Sequence, residues 1–119
     1  MRLQDDMYVI EHALDNMITI RLNAEHPIYQ AHFPGNPITP GVCLIQIIKE
    51  LLQSRLGTTL ALSKVVNIKY VLPVSPVEYP TISVSFSQIS EDTHEVKVKG
   101  TIHSGNEIVT KFSLIFNKE

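Results

Sequence analysis

The feature that most restricts the fold of this chain is a junction between a rigid loop and an apolar helix. Residues 26–41, HPIYQAHFPGNPITPG, contain four prolines and two glycines. Proline fixes φ and removes a backbone donor, so neither a regular helix nor a central strand tolerates this density. The segment therefore predicts a stiff, shaped loop, with one helical turn near Ile28–Ala31.

The run that follows the loop predicts a helix. Eight of the eleven residues of VCLIQIIKELL, at positions 42–52, are apolar. Thr39 is the predicted N-cap and Pro40 the first helical residue, while Gly57 suits the C-terminal cap. Apolar side chains project around most of the circumference, so we expect a helix buried on most sides rather than a surface helix with one apolar stripe.

The remainder predicts an antiparallel sheet. Residues 81–86 and 95–99 alternate between polar and apolar, which is typical of strands with one buried face. Turn residues lie at 15–16, 90–93 and 104–106. The predicted strands are 7–14, 17–22, 63–72, 80–90, 94–103 and 107–116. We therefore expect one α+β domain over residues 1–119, with the sheet curled around the helix.

Composition and charge exclude several classes of function. The formal charge is −2 and the pI is near 6.2, without the basic footprint of nucleic-acid-binding proteins. The sequence has neither a signal peptide nor an apolar run of the ~18 residues of a membrane span. With a single cysteine, Cys43, it suits the cytoplasm. The histidines show no metal-ligand spacing, so no metal site is predicted.

One histidine lies where acid–base chemistry is favoured. His32 is in the stiff loop that leads into the helix, and histidine titrates near neutral pH. The helix N-terminus offers free backbone N–H groups and a partial positive charge. A base beside such donors is suited to removing a proton α to a thioester, because the donors stabilise the negative charge that develops.

Three motifs resemble those of the 3-hydroxyacyl-acyl-carrier-protein dehydratases of fatty-acid synthesis. HFPGNPITPGV at 32–42 resembles the family's HFPG-x-P-x-x-PGV signature. PIYQ at 27–30 is similar to its Pro-aromatic-aromatic-Gln lead-in, and KYVLPVSP at 69–76 to its Lys-Phe-x-x-Pro-Val-x-Pro strand end. The resemblance covers about residues 23–80 by motif and the rest only by strand count.

The resemblance implies a hotdog fold, in which a long central helix is wrapped by a curved antiparallel sheet. It implies a dimer, or a higher oligomer of dimers, that joins through the sheet and has active sites at the interface. The substrate is carried on the phosphopantetheine of acyl carrier protein or coenzyme A, and no other cofactor is implied. His32 would be the base and the Gly41 N–H the oxyanion donor. The expected substrate contacts are Phe33, Pro40, Val42 and Ile45.

The chain departs from the family at the second catalytic group. The family has a carboxylate fourteen residues after the histidine, where this chain has Gln46. A carboxylic acid gives a proton to a leaving hydroxyl, whereas an amide cannot. Gln46 is still predicted to be a catalytic-site residue, because its amide can hydrogen-bond the hydroxyl or a water. Glu50 lies one helical turn further along.

Three functions remain open on the sequence. They are a dehydratase with weakened or altered catalysis, a non-catalytic subunit that binds acyl carrier protein, and an acyl thioesterase.

Overall fold

The structure, a computed structural model, describes residues 2–31 and 35–119. In chain order its elements are β1 (Tyr8–Leu14), β2 (Met17–Leu22), α1 (Ile28–Ala31), α2 (Gly41–Leu56), β3 (Leu60–Tyr70), β4 (Thr81–Glu91), β5 (Glu95–Ser104) and β6 (Glu107–Lys118). The strands form a single antiparallel sheet in the order β1-β2-β4-β5-β6-β3, curved around α2. The predicted α+β architecture is confirmed.

Most neighbouring strands of the sheet are joined by short turns, whereas β3 pairs with a strand that is distant in sequence. Short turns join β1 to β2 and β4 to β5 to β6, as the turn residues predict, and Asp15 adopts a positive φ of 54° in the first of them. By contrast, β3 does not pair with β4, which follows it in sequence. It lies beside β6 and forms one edge of the sheet.

The core lies between the sheet and α2. Alternate residues of β4 and β5 are buried, which confirms the period-two pattern read from the sequence. From α2, the buried residues are Cys43, Leu44, Ile47, Ile48, Glu50, Leu51 and Leu52. The helix is therefore buried on most sides, as expected, although Val42 is 71% exposed and Ile45 only half-buried.

The N-terminus of α2 differs from the prediction. Pro40 is the N-cap rather than the first helical residue, and no side chain caps the helix. Thr39 is only 3% exposed, and its hydroxyl pairs with that of Tyr29 at 2.9 Å instead. The C-terminus is as predicted: Gly57 is left-handed, and its N–H donates to the Gln53 carbonyl at 2.8 Å.

Among the residues that the structure describes, no helix is long and apolar enough to cross a membrane.

Candidate functional site

The first turn of α2 presents backbone donors. The N–H groups of Cys43 and Leu44 donate to the Pro40 carbonyl at 3.0 and 3.2 Å. For the N–H groups of Gly41 and Val42, no acceptor occurs in ranges 2–31 and 35–119. Together with the positive end of the helix dipole, these two amides form a site suited to a carbonyl oxygen or an oxyanion.

An apolar cavity of about 300 Å³ opens beside these amides. It is lined by Ile38, Thr39, Pro40, Gly41, Leu44, Tyr70, Leu72, Pro73 and Val74. The structure thus brings two predicted site residues, Pro40 and Gly41, together at a pocket large enough for a short acyl group. Val42 and Ile45 do not line it.

Tyr70, at the end of β3, packs against Gly41. A Cβ at position 41 would touch the phenol oxygen of Tyr70 and would lie 2.6 Å from its Cζ and 3.2 Å from its Cε1. A side chain at position 41 would therefore displace the Tyr70 ring. Burial raises the pKa of Tyr70, so its phenol is protonated at neutral pH. Sequence reasoning included Tyr70 in a motif but gave it no role.

The loop that leads into α2 is anchored at both ends. Tyr29 is 2% exposed and, through its hydroxyl, contacts the hydroxyl of Thr39, ten residues further along. The N–H of Thr39 donates to the Val74 carbonyl at 2.7 Å. His32 and Phe33, between these anchors, lie outside the described residues, and their roles remain predictions.

Gln46 is held by a buried carboxylate. Its Nε2 donates to Glu50 Oε2 at 2.8 Å. Glu50 is only 7% exposed, and it also accepts bonds from the N–H groups of Leu3 and Gln4 at 2.7 and 2.8 Å and from the Tyr8 hydroxyl at 3.0 Å. Burial and the Glu50 charge together raise the pKa of Tyr8, which keeps this donor protonated.

These hydrogen bonds determine the roles of Glu50 and Gln46. The Glu50 carboxylate accepts from four donors, and three of them, on Leu3, Gln4 and Tyr8, attach the N-terminal segment to α2, which makes the carboxylate a structural anchor. The Gln46 amide turns its nitrogen toward Glu50, because an amide oxygen cannot donate to a carboxylate. A carboxylate in an apolar helical run indicates buried partners, but two of the partners here are the backbone N–H groups of Leu3 and Gln4, which no sequence pattern identifies.

Gln46 and Gly41 do not face the same cavity within one chain. Five residues separate them, which is about 140° around a helix. Gln46 and Glu50 line a second, polar cleft of about 480 Å³, together with Arg2, Gln4, Lys49, Gln53, Ser54, Gly57, Thr58 and Thr59. Two of the predicted catalytic residues of one chain, Gly41 and Gln46, therefore line different clefts.

Two other kinds of chemistry find no support at this site. Cys43 is buried and burial raises its thiol pKa, so it packs as a small apolar residue and not as a reactive thiolate. Within the described ranges, three or more potential metal ligands do not come together anywhere.

Comparison with known proteins identifies the family. The chain matches the family described as ApeI-like, ApeI dehydratase, over residues 10–110. It is 28% identical over 94 residues to a 3-hydroxyacyl-[acyl-carrier-protein] dehydratase FabZ of Caulobacter sp. strain K31, covering 71% of this chain but only 56% of that relative. To FabZ of Alkaliphilus metalliredigens it is 24% identical, covering 96% of this chain and 81% of the relative.

Solved structures share the fold at lower identity. The dehydratase heterocomplex ApeI:P of Xenorhabdus doucetiae superimposes with a TM-score of 0.62 at 16% identity, covering 95% of this chain and 98% of that one. A Haemophilus influenzae thioesterase gives 0.62 at 15% identity, with 94% and 78% covered. A Bacillus halodurans protein solved with CoA gives 0.64 at 16% identity, with 93% and 73% covered.

These likenesses confirm the predicted hotdog fold. With the sequence match spanning residues 10–110 of 119, the chain belongs to the ApeI-like dehydratase family.

Proposed function

We propose that this protein acts on 3-hydroxyacyl thioesters in fatty-acid or related acyl-chain biosynthesis, as a dehydratase with altered catalysis. The observation that carries the proposal is the pair of open amides, Gly41 and Val42, beside an apolar cavity. In this reading the acyl chain enters the cavity and the thioester oxygen lies at the amides. The carrier is acyl carrier protein or coenzyme A, and the FabZ relatives favour the former.

The proposed chemistry begins with His32. Its imidazole takes the α-proton while the Gly41 N–H and the helix dipole stabilise the enolate-like oxygen. Expulsion of the 3-hydroxyl then needs a proton, which Gln46 cannot supply. General acid catalysis contributes about 10²–10⁴-fold, so the reaction needs another donor or proceeds more slowly.

A second copy of the chain completes the proposed site. The edge strand β3 exposes Leu62, Val65, Val66 and Tyr70 on an unpaired row of backbone groups, which is a template for strand pairing. We propose a dimer through this edge. Such a dimer would also explain why Gly41 and Gln46 of one chain face different clefts, since each would work with the partner's.

The interface is tested by Val66→Lys, which places a charge on the exposed edge, with Ile10→Lys on the opposite edge, β1, as the matched control. Light scattering should give a dimer for the wild type and the control and a monomer for Val66→Lys, which should also lose turnover. A wild-type monomer with full activity contradicts the dimer proposal.

The activity is tested with purified protein and 3-hydroxybutyryl and longer 3-hydroxyacyl thioesters, on acyl carrier protein and on coenzyme A. We expect enoyl formation that His32→Ala abolishes. Absence of enoyl product at every chain length, with none restored by Gln46→Glu, overturns the proposal. Release of free thiol instead would indicate a thioesterase, the activity named for the Haemophilus influenzae neighbour.

Gln46 also favours a second candidate, a non-catalytic acyl-carrier-binding subunit that pairs with an active homologue. The ApeI:P structure is described as a dehydratase heterocomplex. In this case the chain alone binds an acylated carrier without turning it over. Clear turnover by the purified homodimer, lost on His32→Ala, excludes this candidate.

A further inference from the structure

Two departures from the dehydratase motifs concern the same chemistry. The chain has an amide, Gln46, where the signature has an acid. It also has a phenol, Tyr70, where the Lys-Phe-x-x-Pro motif has a plain aromatic ring. One position thus loses a proton donor and the other gains one.

The fold places the added hydroxyl at the predicted oxyanion site. Tyr70 and Gly41 line the same apolar cavity, and the phenol oxygen reaches the space where a Cβ of residue 41 would be. The Tyr70 side chain is 48% exposed in the single chain, and it lies on the β3 edge that is proposed above as the dimer interface. A thioester oxygen at the Gly41 amide would have its C3 carbon a few bonds away, near this hydroxyl.

A phenol is strong enough for the step in question. Water is a far weaker acid than a phenol, whose ordinary pKa is about 10, so proton transfer from tyrosine to a departing hydroxide is downhill. The phenolate left behind lies at the positive end of α2, beside the amides of Gly41 and Val42, which stabilise an anion.

Among the described residues that line the cavity, Tyr70 has the only titratable side chain. In the described part of the chain, α2, the loop before it and residues 71–74 contribute no other titratable side chain to the cavity. In the β3–β6 register, Tyr70 lies opposite Thr110 on β6. The neighbouring charged residues, Lys69 and Lys111, lie opposite each other at the next position of that register. Burial acts against ionisation of the phenol, so the donor is loaded throughout the neutral range.

We propose that Tyr70 is the general acid of this protein. This assignment rests on the proposed dehydratase function. The base His32 takes the α-proton, the C2–C3 double bond forms as the C3–O bond breaks, and the leaving hydroxide takes the Tyr70 proton to become water. The imidazolium then returns its proton to the phenolate through solvent, so the products are the enoyl thioester and one water.

The test is Tyr70→Phe, which keeps the ring and removes only the hydroxyl. For 3-hydroxyacyl thioesters we expect kcat to fall about 10²–10⁴-fold with KM nearly unchanged. A 3-fluoroacyl thioester provides the discriminating readout, because fluoride leaves without a proton. With it, Tyr70→Phe should eliminate fluoride at close to the wild-type rate. Tyr79→Phe, a tyrosine bonded to Glu107 outside this cavity, is the matched control and should leave both rates unchanged.

The outcomes separate this assignment from the function on which it rests. Wild-type turnover that survives Tyr70→Phe within about threefold overturns the acid role alone. Equal losses with the hydroxy and the fluoro substrate show that Tyr70 acts in binding or packing and also overturn it. No wild-type turnover with either substrate overturns the dehydratase function and the assignment together.

Discussion

Replacing Glu50 by alanine tests whether a buried carboxylate holds the N-terminal segment against α2. The change removes the acceptor of four hydrogen bonds, of which those from the Leu3 N–H and the Tyr8 hydroxyl are buried. A buried donor left without an acceptor costs about 1–3 kcal/mol. The donors on Gln4 and Gln46 are only partly buried and can reach water.

We therefore expect Glu50→Ala to lower the free energy of unfolding by about 2–6 kcal/mol, which is about 1–3 kcal/mol for each of the two buried donors. Domains of this size have about 5–15 kcal/mol in total, so the variant should be marginal. Tyr8→Phe removes one donor and leaves three, and should cost about 1–2 kcal/mol. Glu50→Gln keeps the shape and one acceptor oxygen and should fall between the two.

The assay is urea unfolding at several protein concentrations, because the stability of a dimer depends on concentration. Amide hydrogen exchange at Leu3 and Gln4 supplies a local readout: both should lose protection in Glu50→Ala and keep most of it in Tyr8→Phe. A Glu50→Ala variant within 1 kcal/mol of the wild type, or less affected than Tyr8→Phe, would refute the role of this carboxylate as an anchor.

Three further predictions follow from single contacts. Gln46→Glu places a second carboxylate about 2.8 Å from Glu50, so the pair shares one proton. The stability of this variant relative to wild type should fall as pH rises above about 4.3, the pKa of glutamate in the unfolded chain, and unfolding measured from pH 4 to 8 tests this. Gly41→Ala meets only the end of the half-exposed Tyr70, so thermal melting should change little while turnover falls as the ring is displaced; a large loss of melting temperature would contradict this. Two backbone N–H groups lower the pKa of Asp92, so its contribution to stability is complete above the unfolded pKa of about 3.8 and is lost as pH falls through the folded value. The difference in melting temperature between wild type and Asp92→Ala should therefore shrink in acid. A difference that stays constant with pH would contradict this role of Asp92.

Features that depend on short stretches of sequence, such as turns, the helix C-cap and alternating burial in strands, were predicted correctly. Gly57 ends α2 because a left-handed residue suits glycine, and Asp15 turns β1 into β2 for the related reason that aspartate tolerates positive φ. The alternation in β4 and β5 specifies which face is buried wherever the strands lie. The resemblance to the family, and with it the predicted hotdog fold, depends on the proline- and glycine-rich loop motif at 32–42, which is contiguous in the sequence.

The tertiary structure decided the pairings between residues that are far apart in the chain. Three of the four partners of Glu50 lie 42 to 47 residues away, and two of these are backbone groups that leave no trace in composition. Thr39 has the residue type of an N-cap, yet its hydroxyl hydrogen-bonds with the buried Tyr29 hydroxyl and does not cap α2. Tyr70 meets Gly41 only because β3 lies at the sheet edge beside β6. Local patterns determine conformation and facing, whereas these contacts depend on how the finished sheet brings distant segments together.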